Sequence, residues 1–60
     1  MELPKDPFIL LSLINTKLRD FYPNLEDLCK SLFIEKEELF RSLSAVGYQY
    51  SESRNQFISA

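Results

Sequence analysis

The sequence predicts a small, mainly α-helical domain in which three helices are followed by a short C-terminal β-hairpin. Apolar residues recur at helical spacing in three successive segments, and each segment is bounded by residues that begin or end helices. The last part of the chain instead alternates aromatic and polar residues around a polar turn, which is typical of paired strands.

The first helix is predicted over residues 7–21. Asp6 is a suitable N-cap, and Pro7 suits the first helical position because an N–H would have no partner there. Pro23 disfavours helical backbone at the preceding residue, so we expect the helix to end near residue 21. The residues expected on its buried face are Leu10, Leu11, Ile14, Leu18 and Phe21.

The second helix, over residues 24–32, has the clearest amphipathic pattern. Asn24 is its predicted cap, and its buried face is expected to hold Leu25, Leu28, Cys29 and Leu32. A reactive thiol needs exposure and a basic neighbour, so Cys29 is predicted to be a packing residue.

The third helix is predicted over residues 35–46, and Gly47 is expected to end it in a left-handed conformation. The positive end of the helix dipole favours the acidic residues of its first turn. Those acidic residues are Glu35, Glu37 and Glu38, and the expected packing residues are Ile34, Leu39, Leu43 and Val46.

The hairpin is predicted over residues 48–58, with a loop of four or five residues and a positive φ at Asn55. Tyr48, Tyr50 and Phe57 could stack on single-stranded nucleic acid, but no basic residues alternate with them. We expect these rings to cover one end of the core instead.

Composition excludes several classes of function for this single domain, residues 1–60. A single Cys permits no internal disulfide, and a chain without His is a poor zinc ligand set, so we expect no metal or cofactor. A chain with one Gly cannot form a Gly-rich phosphate loop. The carboxylates of Glu26 and Asp27, and those of Glu37 and Glu38, point in different directions on their helices, so neither pair is suited to acid-base catalysis. We therefore expect neither an enzyme nor a small-molecule substrate.

The chain is also expected to be cytoplasmic, without membrane contact. Its longest apolar stretch, "FILLSLI", is too short to cross a bilayer, and no segment has the pattern of a signal peptide.

Residues 25–58 resemble the helix-turn-helix and hairpin of winged-helix domains. The resemblance rests on packing positions, and Phe33 departs from it because such turns commonly have Gly there. In DNA-binding members the third helix presents cationic side chains, whereas this one begins with Glu35, Lys36, Glu37 and Glu38. We therefore predict a protein-interaction function and keep nucleic-acid binding as the alternative. The contacts with nucleic acid would be Lys36, Arg41 and Arg54.

Residues 3–57 as a whole resemble a family of short bacterial proteins known as a domain of unknown function. The strings "LPKDP", "NTKLRD", "GYQY" and "NQF", together with the "LC" pair of the second helix, carry this resemblance. It implies no activity, cofactor or partner, and it leads us to expect a complete chain rather than a fragment.

Two groups in the first helix are candidates for contacting a protein partner or a second copy. Ile9 and Leu13 lie one turn apart on one side of the predicted buried face, and Phe8 lies beyond its other edge. They form an exposed apolar surface unless the N-terminal "MELPK" folds over the helix. Asn15, Lys17 and Arg19 could form a polar contact site. The structural interpretation, which we favour, has Asn15 bonding the backbone of the hairpin or of a turn, and Arg19 pairing with a carboxylate.

Overall fold

The computed structural model describes residues 2–60 and contains three helices followed by one hairpin, as the sequence predicts. The helices are α1 (Pro7–Asp20), α2 (Leu25–Leu32) and α3 (Lys36–Ser44), and the strands are β1 (Tyr48–Ser51) and β2 (Gln56–Ser59). The predicted fold class is confirmed. The predicted bounds differ from the observed ones by at most two residues, at the ends where helices and strands commonly fray.

The caps predicted for the first two helices form hydrogen bonds. The Asp6 carboxylate accepts from the backbone N–H groups of Phe8 at 2.8 Å and Ile9 at 3.3 Å. Asn24 Oδ1 accepts from the N–H of Asp27 at 2.8 Å. Each cap satisfies N–H groups that have no partner within the helix, which fixes where α1 and α2 begin.

The core lies between the three helices and β2. Its buried side chains are Leu10, Ile14, Leu18, Leu25, Leu28, Cys29, Ile34, Leu39, Leu43 and Phe57. Leu11 and Leu32 pack against this core while remaining half-buried. The helical periodicity of the sequence therefore identified the central part of each buried face correctly. Val46, which was predicted to pack with the third helix, lies beyond the end of α3 and outside this core.

Phe21 corrects the predicted buried face of α1. Its side chain is 67% exposed, although the helical spacing assigned it to the core. The helix ends at Asp20, and Phe21 has φ −126° and ψ −27°, so the helical projection no longer applies to its side chain. The ammonium of Lys17 lies 5.2 Å from the centre of the Phe21 ring instead.

Within residues 2–60, three residues adopt positive φ, in the turns that follow α2 and α3 and in the hairpin loop. Asn55 (φ 53°) and Gly47 (φ 82°) do so as predicted. Helix α3 nevertheless ends at Ser44, and the Gly47 N–H closes a tighter turn by bonding the Ser44 carbonyl at 3.0 Å. Phe33 (φ 56°, ψ 47°) caps α2 in the left-handed conformation that the winged-helix resemblance associates with Gly.

The hairpin loop, residues 52–55, is anchored to the helices through Asn55. Its Nδ2 donates to the carbonyls of Leu18 at 3.1 Å and Tyr22 at 2.9 Å. Its Oδ1 accepts from the Tyr50 hydroxyl at 2.7 Å, and that hydroxyl accepts from the Leu25 N–H at 3.3 Å. One amide therefore joins the end of α1, the start of α2 and the hairpin.

Candidate interaction surface

An incompletely buried row of side chains runs along α1 beside its buried face. The row begins with Ile9, Leu13 and Lys17, which are spaced four residues apart and so lie on one side of the helix. It ends with Phe21, just beyond the helix, whose ring centre lies 5.2 Å from Lys17 Nζ. Ile9 is 59% exposed, whereas Leu13 and Lys17 are half-buried. We call these four residues the outer row. Phe8, which precedes Ile9, is also 59% exposed.

The N-terminal segment leaves the beginning of the outer row uncovered. Leu3 packs against the core, and Pro4 is half-buried, but Phe8 and Ile9 remain exposed to solvent. Met1, the first residue of the segment that could have folded over this stripe, lies outside the described residues. The described part of that segment therefore does not bury Ile9.

Asn15 binds the hairpin, as the structural interpretation predicted. Its Oδ1 accepts from the Phe57 N–H at 2.7 Å, and its Nδ2 donates to the Phe57 carbonyl at 3.0 Å. Gln56 Nε2 in turn donates to the Asn15 carbonyl at 2.9 Å. The Asn15 side chain thus satisfies both backbone groups of one strand residue, in the way that a neighbouring strand would.

Arg19 pairs with the adjacent Asp20, which is the carboxylate pairing that we expected. Its Nε and Nη2 donate to the two carboxylate oxygens, each at 2.9 Å. This hydrogen bonding lowers the pKa of Asp20 and raises the pKa of Arg19. Asn15, Lys17 and Arg19 are therefore directed to a strand, an aromatic ring and a carboxylate, and they do not converge on one polar site.

The cations proposed for nucleic-acid contact are Lys36, Arg41 and Arg54, and all three are exposed. Lys36 Nζ is 3.9 Å from Glu26 Oε1, and both side chains are largely exposed. Glu37 and Glu38 occupy the exposed first turn of α3. The exposed first turn of α3 therefore carries carboxylates, which repel phosphates.

Cys29 is a buried, free thiol. Burial raises its pKa, an effect that the charge of Lys36 partly opposes. Within residues 2–60, no three His, Cys, Asp or Glu side chains are grouped closely enough to hold a metal ion. No helix in the same range is both long and apolar enough to span a bilayer.

A groove bordered by α3, the hairpin and the start of α2 was not anticipated from the sequence. It consists of two adjoining cavities of about 600 and 420 Å³, and Phe40, Tyr50 and Glu52 line both of them. The rings of Phe40 and Tyr50 contact Phe57, with centroid distances of 6.1 and 5.5 Å. The spacing of Lys36, Phe40 and Ser44 places one face of α3 along this groove, but which element borders that face depends on the tertiary fold.

Comparison with protein families relates the chain to one of them. The model of a family described as a domain of unknown function (DUF4250) matches residues 4–57. Comparisons with curated proteins and with solved structures give no match.

Proposed function

We propose, from the premise that the chain belongs to the DUF4250 family of domains of unknown function, that it is a non-catalytic protein-interaction domain that forms a homodimer. The outer row of α1 is the proposed interface. The observation that carries this proposal is the exposure of Ile9 and Phe21 at the two ends of the outer row. Apolar side chains gathered on one surface favour association because contact removes them from water.

The spacing of the outer row suits a second copy of the same chain. The four positions are symmetric about residue 15, so an antiparallel copy would bring Ile9 against Phe21 and Leu13 against Lys17. A two-fold interface requires a surface that is complementary to itself in this way. The aliphatic part of Lys17 can cover Leu13 while its ammonium remains in water.

The size of the domain also favours association. A chain of 60 residues buries a smaller share of its surface than larger domains do, and it has no disulfide to compensate. A partner that binds only the folded state stabilises that state by mass action. A homodimer would therefore add stability that the small core supplies only in part.

The non-catalytic part of the proposal rests on the ionisable groups. The one thiol is buried with a raised pKa, which disfavours the reactive thiolate. The chain has no His to act as a base. The charged side chains along the groove are Glu26, Lys36 and Glu52, and Lys36 Nζ lies 3.9 Å from Glu26 Oε1.

Nucleic-acid binding through Lys36, Arg41 and Arg54 has less support. Lys36 faces Glu26 at 3.9 Å, and the exposed first turn of α3 carries Glu37 and Glu38. Affinity for a phosphate backbone requires several cations that displace counterions, and carboxylates at the same surface oppose it. Retention of random duplex DNA at micromolar protein and low salt would favour this alternative.

Sedimentation velocity at tens of micromolar protein tests the dimer with one matched pair of variants. Phe21→Ser removes an exposed ring from the outer row, and Phe33→Ser removes a more exposed ring, at 89%, that lies outside it. We expect the unsubstituted chain and Phe33→Ser to sediment as dimers, and Phe21→Ser to shift towards the monomer. A monomeric unsubstituted chain at these concentrations would exclude self-association, and equal behaviour of the two variants would exclude the outer row.

A further inference from the structure

The two outer edges of the hairpin differ in how their backbone groups are satisfied. On the outer edge of β2, Asn15 bonds both the N–H and the C=O of Phe57. On the outer edge of β1, no residue within 2–60 provides a corresponding bond. An unpaired strand edge can pair with another chain, and proteins usually protect such an edge with Lys, Pro or a bulge. Strand β1, "YQYS", contains neither Lys nor Pro, and its pairing with β2 is regular.

The register identifies which groups of β1 point outward. Opposed residues in an antiparallel pair alternate between those that bond each other and those whose N–H and C=O point away. Phe57 directs both groups to Asn15, so its opposite residue, Tyr50, also directs its N–H and C=O away from β2. The same applies two residues earlier at Tyr48, because the Ala60 N–H bonds the Gly47 carbonyl at 2.8 Å. The open edge thus offers two donors and two acceptors at strand spacing.

The groove described above lies beside this open edge. The smaller cavity, of about 420 Å³, is lined by Phe40 and Ser44 of α3, by Tyr48, Gln49 and Tyr50 of β1, and by Glu52. A strand added to β1 would direct alternate side chains to the face where Tyr48 and Tyr50 point. Apolar side chains at those positions would enter the groove and contact Phe40.

The charge of the groove favours a cationic ligand. Glu26, Lys36 and Glu52 are the charged residues that line the two cavities, and Glu26 lies within 3.9 Å of Lys36. Glu52 therefore contributes an uncompensated negative charge at the point where the cavities join. A basic side chain of a bound segment would be attracted there.

We propose that the open edge of β1 binds an extended peptide segment of another protein by antiparallel strand addition. The segment carries apolar residues opposite Tyr48 and Tyr50, and a Lys or Arg two positions earlier in its own sequence, opposite Glu52. Its backbone bonds the outward N–H and C=O groups of the two tyrosines, which gives affinity, while the groove and Glu52 select its side chains. This surface is separate from the outer row of α1, so the proposal stands or falls independently of the homodimer.

A second copy of this chain fits the edge less well than such a peptide. Two β1 strands could pair, but Tyr50 already packs on Phe57 at 5.5 Å and its hydroxyl bonds Asn55. It could not leave these contacts to fill the groove of another copy. Residues 46–51 also carry no charge, so a copy would offer nothing to Glu52.

A displayed library of random heptapeptides, selected against the intact 60-residue chain, tests the proposal. A second selection uses a chemically synthesised chain with N-methyl-tyrosine at position 50, which keeps the side chain and blocks its outward N–H. We expect the unmodified chain alone to enrich the order basic, any, apolar, any, apolar. Equal enrichment on both chains, or none on either, would overturn strand addition at this edge.

The role of the Glu52 charge is tested with two charge-reversing substitutions. Fluorescence anisotropy measures the affinity of one enriched peptide for each variant. Glu52→Lys should weaken binding by at least about threefold, which corresponds to a surface ion pair. Glu38→Lys changes the charge equally on the side of α3 away from the Lys36, Phe40 and Ser44 row, and should leave binding unchanged. A peptide with Glu in place of its basic residue should bind Glu52→Lys better than it binds the unsubstituted chain. If the two charge reversals change peptide affinity equally, the basic residue of the peptide does not lie opposite Glu52.

Amide hydrogen exchange by NMR distinguishes a peptide from a second copy and confirms that the N-methylated chain folds. In the free chain at low concentration, the Tyr48 and Tyr50 amides should exchange faster than those of Gln49 and Ser51, which face β2. The peptide should slow both tyrosine amides. If they are already slow in the free chain and become fast on dilution, a second copy covers the edge and the peptide proposal is wrong.

Discussion

Two sets of apolar side chains on α1 and at its end have opposite environments. Leu10, Ile14 and Leu18 are at most 2% exposed, whereas Ile9 and Phe21 are more than half exposed. The difference arises from the neighbours, since α2, α3 and β2 all contact α1. Leu10, Ile14 and Leu18 belong to the core that these elements share, whereas Ile9 and Phe21 do not. Hydrophobicity of a helix face therefore indicates that it can be buried, and the tertiary arrangement decides whether it is buried within the domain.

Truncation of the buried row should give the largest loss of stability. Ile14→Ala removes a fully buried side chain and should lower the free energy of unfolding by about 2–5 kcal/mol, because it leaves a cavity. Ile9→Ala, the same substitution on the outer row, should change it by less than about 0.5 kcal/mol in the monomer. Urea denaturation at protein concentrations below dimer formation measures both.

A domain of this size could fail to fold with Ile14→Ala, so Ile14→Val provides a smaller step of about 0.5–1.5 kcal/mol. Similar losses for Ile9→Ala and Ile14→Ala in a monomeric sample would contradict the distinction between the two rows.

Asn15 lies at the boundary of the buried row, and its substitution should give the next largest loss of stability. Asn15→Ala leaves the N–H and C=O of Phe57 without their partner, at an expected cost of about 1–3 kcal/mol. Thr16→Ala, at the adjacent exposed position, is the control and should cost less than about 0.5 kcal/mol. Thermal unfolding shows which of the two variants is less stable. Faster hydrogen exchange of the Phe57 amide in Asn15→Ala would assign the loss of stability to the hairpin. A stability unchanged by Asn15→Ala would show that water replaces both bonds at no cost.

Phe33 extends the comparison to an exposed apolar residue outside α1. Its ring is 89% exposed and its backbone is left-handed, so Phe33→Gly removes little packing and relieves a conformation unfavourable for side chains. We expect a gain of about 0.5–1 kcal/mol in unfolding free energy, after the greater flexibility of Gly in the unfolded chain is subtracted. Ser31→Gly, within α2, should instead destabilise the chain by about 0.5 kcal/mol. A loss of stability in Phe33→Gly would mean that the exposed ring makes a contact worth more than the strain.

The smallest expected effect is a change with pH in the contribution of Cys29, on the buried face of α2, to the free energy of unfolding. It should occur only at alkaline pH. Burial raises the pKa of its thiol in the folded state, so the unfolded chain loses its proton first as pH rises. The contribution of the protonated thiol to stability is complete below the unfolded pKa, about 8.5, and decreases as pH rises towards the folded value. The difference in urea midpoint between the unsubstituted chain and Cys29→Ala should therefore narrow from pH 7 to pH 10. A constant difference would indicate that the folded and unfolded thiols ionise alike.

The candidate site was predictable in part. The apolar stripe of Ile9 and Leu13 follows from helical spacing, but Phe21 joined it only because α1 ends one residue before that side chain. The pairing of Asn15 with Phe57 joins residues 42 positions apart, and the sequence suggested a backbone partner without identifying which one. No sequence pattern predicted the groove beside Phe40, because the groove is formed between elements rather than within one.

The sequence by itself determined the order of the helices and the hairpin, the capping residues Asp6 and Asn24, and the membership of most of the core. These features depend on local backbone preferences and on the periodicity of apolar residues, which are properties of short segments. Only the tertiary structure decided that one face of α1 is uncovered, that Asn15 closes the edge of β2 and that the edge of β1 stays open. Those outcomes depend on which surfaces meet when the segments pack, and no single segment encodes them.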